Sequence, residues 1–89
     1  MEALLKHVVC GLAQFPDQVQ VIKRAGRGGA PSWDLLVAPE DFPRIVGRGG
    51  RTARALRALV EGAYWAQGGD EDDRPGLNIM DPEDDGQPV

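Results

Sequence analysis

The stretch from Phe42 to Leu59 does most to restrict what this chain can become. It reads Phe-Pro-Arg-Ile-Val-Gly-Arg-Gly-Gly-Arg-Thr-Ala-Arg-Ala-Leu-Arg-Ala-Leu. The pattern predicts a short apolar turn, then a Gly-x-x-Gly loop at Gly47, Arg48, Gly49 and Gly50, then an arginine-studded helix. Glycine has no Cβ, so a loop of this kind lets backbone amides come close to a phosphate. The helix that follows adds a partly positive N-terminus, which favours anions. Five arginines and no acidic residue lie between Arg44 and Arg57. Positive charge gathered around one glycine loop points to a sugar-phosphate backbone as the partner.

The net charge of −4 hides this patch. Residues 1–60 hold nine Lys/Arg against five Asp/Glu, a balance of +4, whereas residues 61–89 hold one Arg against nine Asp/Glu, a balance of −8. The acidity comes from the last third, so the local basic patch is the better guide to the partner. Eighty-nine residues suit one small domain near the lower limit for independent folding. No run approaches the roughly 18 apolar residues that a membrane span needs. The start, Met1-Glu2-Ala3-Leu4-Leu5-Lys6-His7, lacks the features of a secretory signal, so a cytoplasmic protein is expected. The single cysteine, Cys10, excludes an internal disulfide and reads as a small core residue.

Periodicity gives a coarse order of elements. Residues 2–14 read as a helix with Leu4, Leu5, Val8, Val9 and Leu12 at helical spacing. Residues 18–24 alternate as a strand does, Gly26–Gly29 reads as a hairpin loop, and residues 32–38 read as a second strand. Residues 39–43 suit a short helical turn, and residues 51–66 a long helix ended by Gly68 and Gly69. Leu77 to Met80 is a weak third strand. Residues 1–80 are thus expected to form one domain, and residues 81–89 an acidic disordered tail that cannot offset its ordering entropy by burial.

This order resembles a type II KH domain, and more closely the small bacterial single-KH RNA-binding proteins of the KhpA type. The carrying residues are Val37-Ala38-Pro39-Glu40-Asp41 and then Ile45-Val46-Gly47-Arg48-Gly49-Gly50-Arg51-Thr52-Ala53-Arg54-Ala55-Leu56-Arg57. The resemblance implies an α+β fold, a three-stranded mixed sheet covered on one face by three helices. It implies single-stranded RNA as partner, about four nucleotides held by the loop. Gly47, Arg48, Gly49 and Gly50 would clamp the backbone, Ile45 and Val46 would help floor the groove with Leu35 or Val37 opposite, and Arg51 and Arg54 would hold the backbone past the helix. Members act in RNA regulation linked to cell-envelope growth and cell shape, as RNA chaperones or post-transcriptional regulators. The resemblance further implies a homodimer and a larger Jag-type KH protein as partners, with no membrane.

Other readings of the same residues stand beside this one. The loop could be a helix-joining turn, and Arg51, Arg54 and Arg57 a solvated helix face. Trp33 reads as a strand-edge core or interface aromatic rather than a base-stacking platform, and Tyr64 and Trp65 as packing or dimer residues. No nucleophile, base and orienting group fall together, no metal-ligand spacing occurs, and the loop lacks the Gly-Lys-Ser/Thr ending of a nucleotide-triphosphate loop. No enzyme and no cofactor are therefore expected. The rival to RNA binding is an adaptor whose KH fold serves protein interaction.

Overall fold

The apolar stripe of the first segment folds as α1, Glu2–Leu12. It stops two residues before the sequence pattern suggests, because Ala13 is already extended. A single 3₁₀ turn, Pro16–Gln18, leads into β1, Gln20–Ala25. β1 pairs antiparallel with β2, Pro31–Leu36, from Gln20↔Leu36 to Ala25↔Pro31. The computed structural model describes residues 1–25, 30–82 and 87–88, so the Gly26–Gly29 hairpin loop lies outside the described residues. β2 ends early, at Leu36, as Val37 and Ala38 bend into the turn set by Pro39.

Residues 38–41 form one turn, closed by the Asp41 amide donating to the Ala38 carbonyl at 2.9 Å. The helical segment expected at 39–43 therefore starts three residues later, as α2, Phe42–Val46. The glycine loop follows, and then α3, Arg51–Ala66, with the limits the sequence predicts. β3, Gly76–Asp81, runs parallel to β2 with Leu35↔Ile79 in register. A parallel return needs a helical crossover, and α2 and α3 provide it. The product is an α+β domain with a mixed sheet in the order β1, β2, β3. A two-residue strand, β4 (Gln87–Pro88), pairs antiparallel with Met80 and Asp81 at the outer edge of β3. It falls within the segment expected as an acidic tail; residues 83–86 and 89 of that tail lie outside the described residues.

One face of the sheet meets the helices. Trp33 and Leu35 of β2 and Leu77 and Ile79 of β3 pack in one buried cluster with Leu5 and Val9 of α1, Ile45 of α2, and Ala53, Leu56 and Val60 of α3. Each large side chain buried there contributes about 1.5–3 kcal/mol. Trp33 belongs to this core, and its indole nitrogen donates to the Glu2 carboxylate at 2.5 Å. That bond ties the start of α1 to β2 and, with help from the N-terminus and Lys23, holds the Glu2 carboxyl below its ordinary pKa. The opposite face carries a polar network, in which Arg24 and Asn78 both donate to the buried carboxylate of Asp34. Cys10 is half-buried against the core, and Tyr64 donates to Asp73 at 2.8 Å while the Trp65 indole donates to the Asp73 carbonyl at 3.2 Å.

Candidate nucleic-acid interface

The glycine loop is held by what lies before it. Asp41 is fully buried. Its carboxylate accepts from the Gln14 amide at 2.8 Å and the Phe15 amide at 2.9 Å, the two residues after α1 unwinds. Its carbonyl accepts from the Ile45 amide at 2.9 Å, the first bond of α2. One residue thus fastens the loop-bearing helix to the end of α1. The sequence names Asp41 only as part of a turn, because its acceptors' partners are 26 and 27 residues away.

Gly47 closes α2 by donating to the Pro43 carbonyl at 2.9 Å and takes φ 80°, ψ 169°. Only glycine adopts that conformation at low cost. A Cβ there would also lie 2.8 Å from the Thr52 amide nitrogen. Close approach of the loop to the first turn of α3 therefore requires this glycine. Gly49 (φ 62°, ψ 18°) and Gly50 (φ 81°, ψ 15°) are left-handed, and the space beside Gly49 is open. Arg48 and Gly49 are the exposed tip.

No side chain caps the N-terminus of α3. Its first-turn amides and its dipole face the loop, which favours an oxyanion there. Arg51 and Arg54 are exposed beside it. Arg54 reaches back to donate to the Gly49 carbonyl at 2.9 Å, bracing the loop with one nitrogen of its guanidinium. Arg57 is half-buried and donates from Nε to the Leu77 carbonyl at 3.4 Å, at the edge of β3.

The structure brings Val46, Gly47, Arg48, Gly49, Gly50, Arg51 and Arg54 together at one end of the domain. Ile45 is placed differently from the others: it is fully buried and offers no surface. Leu35 and Val37 are likewise buried, at 0% and 6% exposure. Val46, half-buried, is the apolar side chain at the surface of this end. Core packing explains the difference, because a five-residue helix stays attached only by turning an apolar side chain inward, and Ile45 is the buried residue of α2. Thr52 and Asp41 are the residues that sequence reasoning missed. A signal existed for Thr52, the one hydroxyl residue in the first turn of α3, two residues after the last glycine of the loop.

The sequence model of the KhpA/KhpB KH-domain family matches residues 2–71. The chain is 44% identical over 68 residues to the RNA-binding protein KhpA of Streptomyces coelicolor, covering 76% of this chain and 84% of that protein. It is 46% identical over 61 residues to the RNA-binding protein KhpA of Mycobacterium leprae, covering 65% of this chain and 71% of that protein. It is also 46% identical over 56 residues to the protein of the same name from Leifsonia xyli, covering 63% and 72%. No solved structure matches significantly.

Proposed function

The chain belongs to the KhpA/KhpB KH-domain family, and from that premise we propose that it binds single-stranded RNA through the loop Gly47–Gly50. Residues 1–80 act as one type II KH domain, with the three helices over one face of the mixed sheet. The observation that carries the reading is the loop itself: a glycine-only turn at Gly47 presents exposed Arg48 and Gly49 in front of an uncapped, arginine-flanked helix. Phosphate oxygens have both amides and charge to meet there.

Each residue then has a role. Gly47, Arg48, Gly49 and Gly50 clamp the backbone of about four nucleotides. Arg51 and Arg54 neutralise the phosphates beyond the loop. Val46 meets a base at the groove floor, and Ile45 supports that floor from beneath. So short a site limits affinity, and pairing with a second copy or with a larger Jag-type KH protein would raise avidity without new contacts. RNA chaperoning or post-transcriptional regulation in the cytoplasm fits a binder of this kind.

The structure selects the test. Arg48→Asp with Gly49→Asp puts two carboxylates at the exposed tip; the space beside Gly49 is open, and the left-handed backbone there costs about 1 kcal/mol, which leaves the core untouched. Affinity for a single-stranded RNA should fall at least tenfold, about 1.4 kcal/mol, with circular dichroism unchanged. A folded variant that binds as tightly as the parent means that the loop is not the site.

A further inference from the structure

One polar group beside the glycine loop has no work in the fold. Thr52 is the second residue of α3 and is half-buried. A threonine hydroxyl inside a helix commonly bonds back to the carbonyl three or four residues earlier. For Thr52 those are the carbonyls of Gly49, which Arg54 occupies, and of Arg48. Among the described residues the Thr52 hydroxyl bonds to neither and has no other hydrogen-bond partner. Nor does it cap α3, whose N-terminus has no side-chain cap. No buried side-chain nitrogen or oxygen among the described residues lacks a partner, so this hydroxyl, which lacks one, is open to solvent.

Its place is set by Gly47. The Cβ that Gly47 lacks would run into the Thr52 hydroxyl and stand 2.9 Å from the Thr52 Cβ. The hydroxyl therefore borders the gap that this glycine leaves where the loop begins. Where the loop ends, a Cβ on Gly50 would meet the Arg54 guanidinium at 3.5 Å. The start of α3 thus sets a neutral hydroxyl against the first glycine of the loop and a cation against the last. The two suit different groups of a nucleotide backbone. A guanidinium only donates and carries charge, which suits a phosphate. A hydroxyl both donates and accepts, as the ribose 2′-hydroxyl does.

We propose that Thr52 recognises a ribose 2′-hydroxyl and gives the site a preference for RNA over DNA. The inference rests on the reading of this loop as the RNA site. Arg48, Arg51 and Arg54 attract either nucleic acid, because both carry phosphates. The 2′-hydroxyl is the group that separates the two. With the backbone laid across the loop, Thr52 Oγ1 exchanges its bond to water for one to the 2′-hydroxyl. A deoxyribose in the same place displaces the water and leaves Thr52 unpaired, which costs binding.

Three variants test this. Thr52→Val keeps the branched shape against Gly47 without the hydroxyl, Thr52→Ala removes the hydroxyl in a residue that favours helix, and Thr52→Ser keeps the hydroxyl. Circular dichroism establishes that each is folded. The variants and the parent are titrated at several salt concentrations with a labelled single-stranded RNA and with the DNA of the same base sequence. The parent should bind the RNA about fivefold more tightly than the DNA, the worth of one neutral hydrogen bond. Thr52→Val and Thr52→Ala should lose that preference through weaker RNA binding alone, with the salt slope unchanged because no charge is removed. Thr52→Ser should retain it. An RNA with a single 2′-deoxynucleotide, moved along the sequence, should bind the parent more weakly at one position, and the same change should have no effect on Thr52→Val. A parent indifferent to the sugar overturns the proposal, as does a folded Thr52→Val or Thr52→Ala that keeps the preference or weakens RNA and DNA alike. A parent that binds DNA and RNA equally well or discriminates without Thr52 leaves the loop as the site; a parent that binds no single-stranded RNA overturns the reading of the site, and this inference with it.

Discussion

Gly47 and Gly49 look interchangeable in the sequence and are not. Gly47 sits in a backbone region closed to other residues and against the Thr52 backbone. Gly49 is merely left-handed, with open space beside it. Gly47→Ala should therefore cost about 2–4 kcal/mol of stability, combining conformational strain with the steric contact. Gly49→Ala should cost about 1 kcal/mol, the left-handed penalty alone. Urea unfolding of the two variants measures the difference, and equal costs contradict this account of Gly47.

Along α3, three arginines at the same spacing do different work. Arg51 is exposed beside the loop, Arg54 also braces the Gly49 carbonyl, and Arg57 is turned to the β3 edge. Arg51→Ala should reduce the slope of log affinity against log salt by about 0.7, the value for one phosphate contact on a single strand. Arg54→Ala should lose that much slope and more affinity, because the loop loses its brace. Arg54→Lys should restore the slope but only part of the affinity, since a compact ammonium serves a phosphate and the carbonyl less well than a planar fork. Salt titrations of the three variants check this. α1 is pinned to β2 by the bond from Trp33 to Glu2, whose folded carboxyl pKa is depressed. A depressed pKa contributes stability above the unfolded value of 4.5, lost as pH falls through the lower folded value. The melting temperature of Glu2→Gln should thus trail the parent at neutral pH, with the gap closing in acid.

Across the whole molecule, Asp41 joins segments far apart in sequence. Asp41→Ala leaves the Gln14 and Phe15 amides without their acceptor beside a buried site. Each unsatisfied donor costs about 1–3 kcal/mol, so a total loss of about 2–6 kcal/mol is expected in urea unfolding. Under conditions where the variant stays folded, RNA affinity should also fall, since α2 and its loop lose their fixed seat. Charge is sorted at this scale too. The basic residues of the loop and the start of α3 gather at one end, and Asp73, bonded to Tyr64, sits near the other end of α3.

The sequence by itself determined the order of the main elements, the exact span of α3 and the glycine loop before it. These rest on local physics: apolar residues at helical spacing, glycines where φ must be positive, prolines where a helix must start or a strand must stop. Only the tertiary structure decided which residues of the candidate site face outward. Ile45 reads as a groove residue beside the loop, yet the core claims it, because α2 is too short to stay attached without it. Asp41 reads as one residue of a turn, yet its partners lie at the end of α1. The neighbourhood of β4 was likewise invisible, since an edge pairing depends on where β3 ends in space rather than on the composition of the segment that meets it. Periodicity records which side of an element is apolar; contacts between distant segments depend on how those elements are stacked.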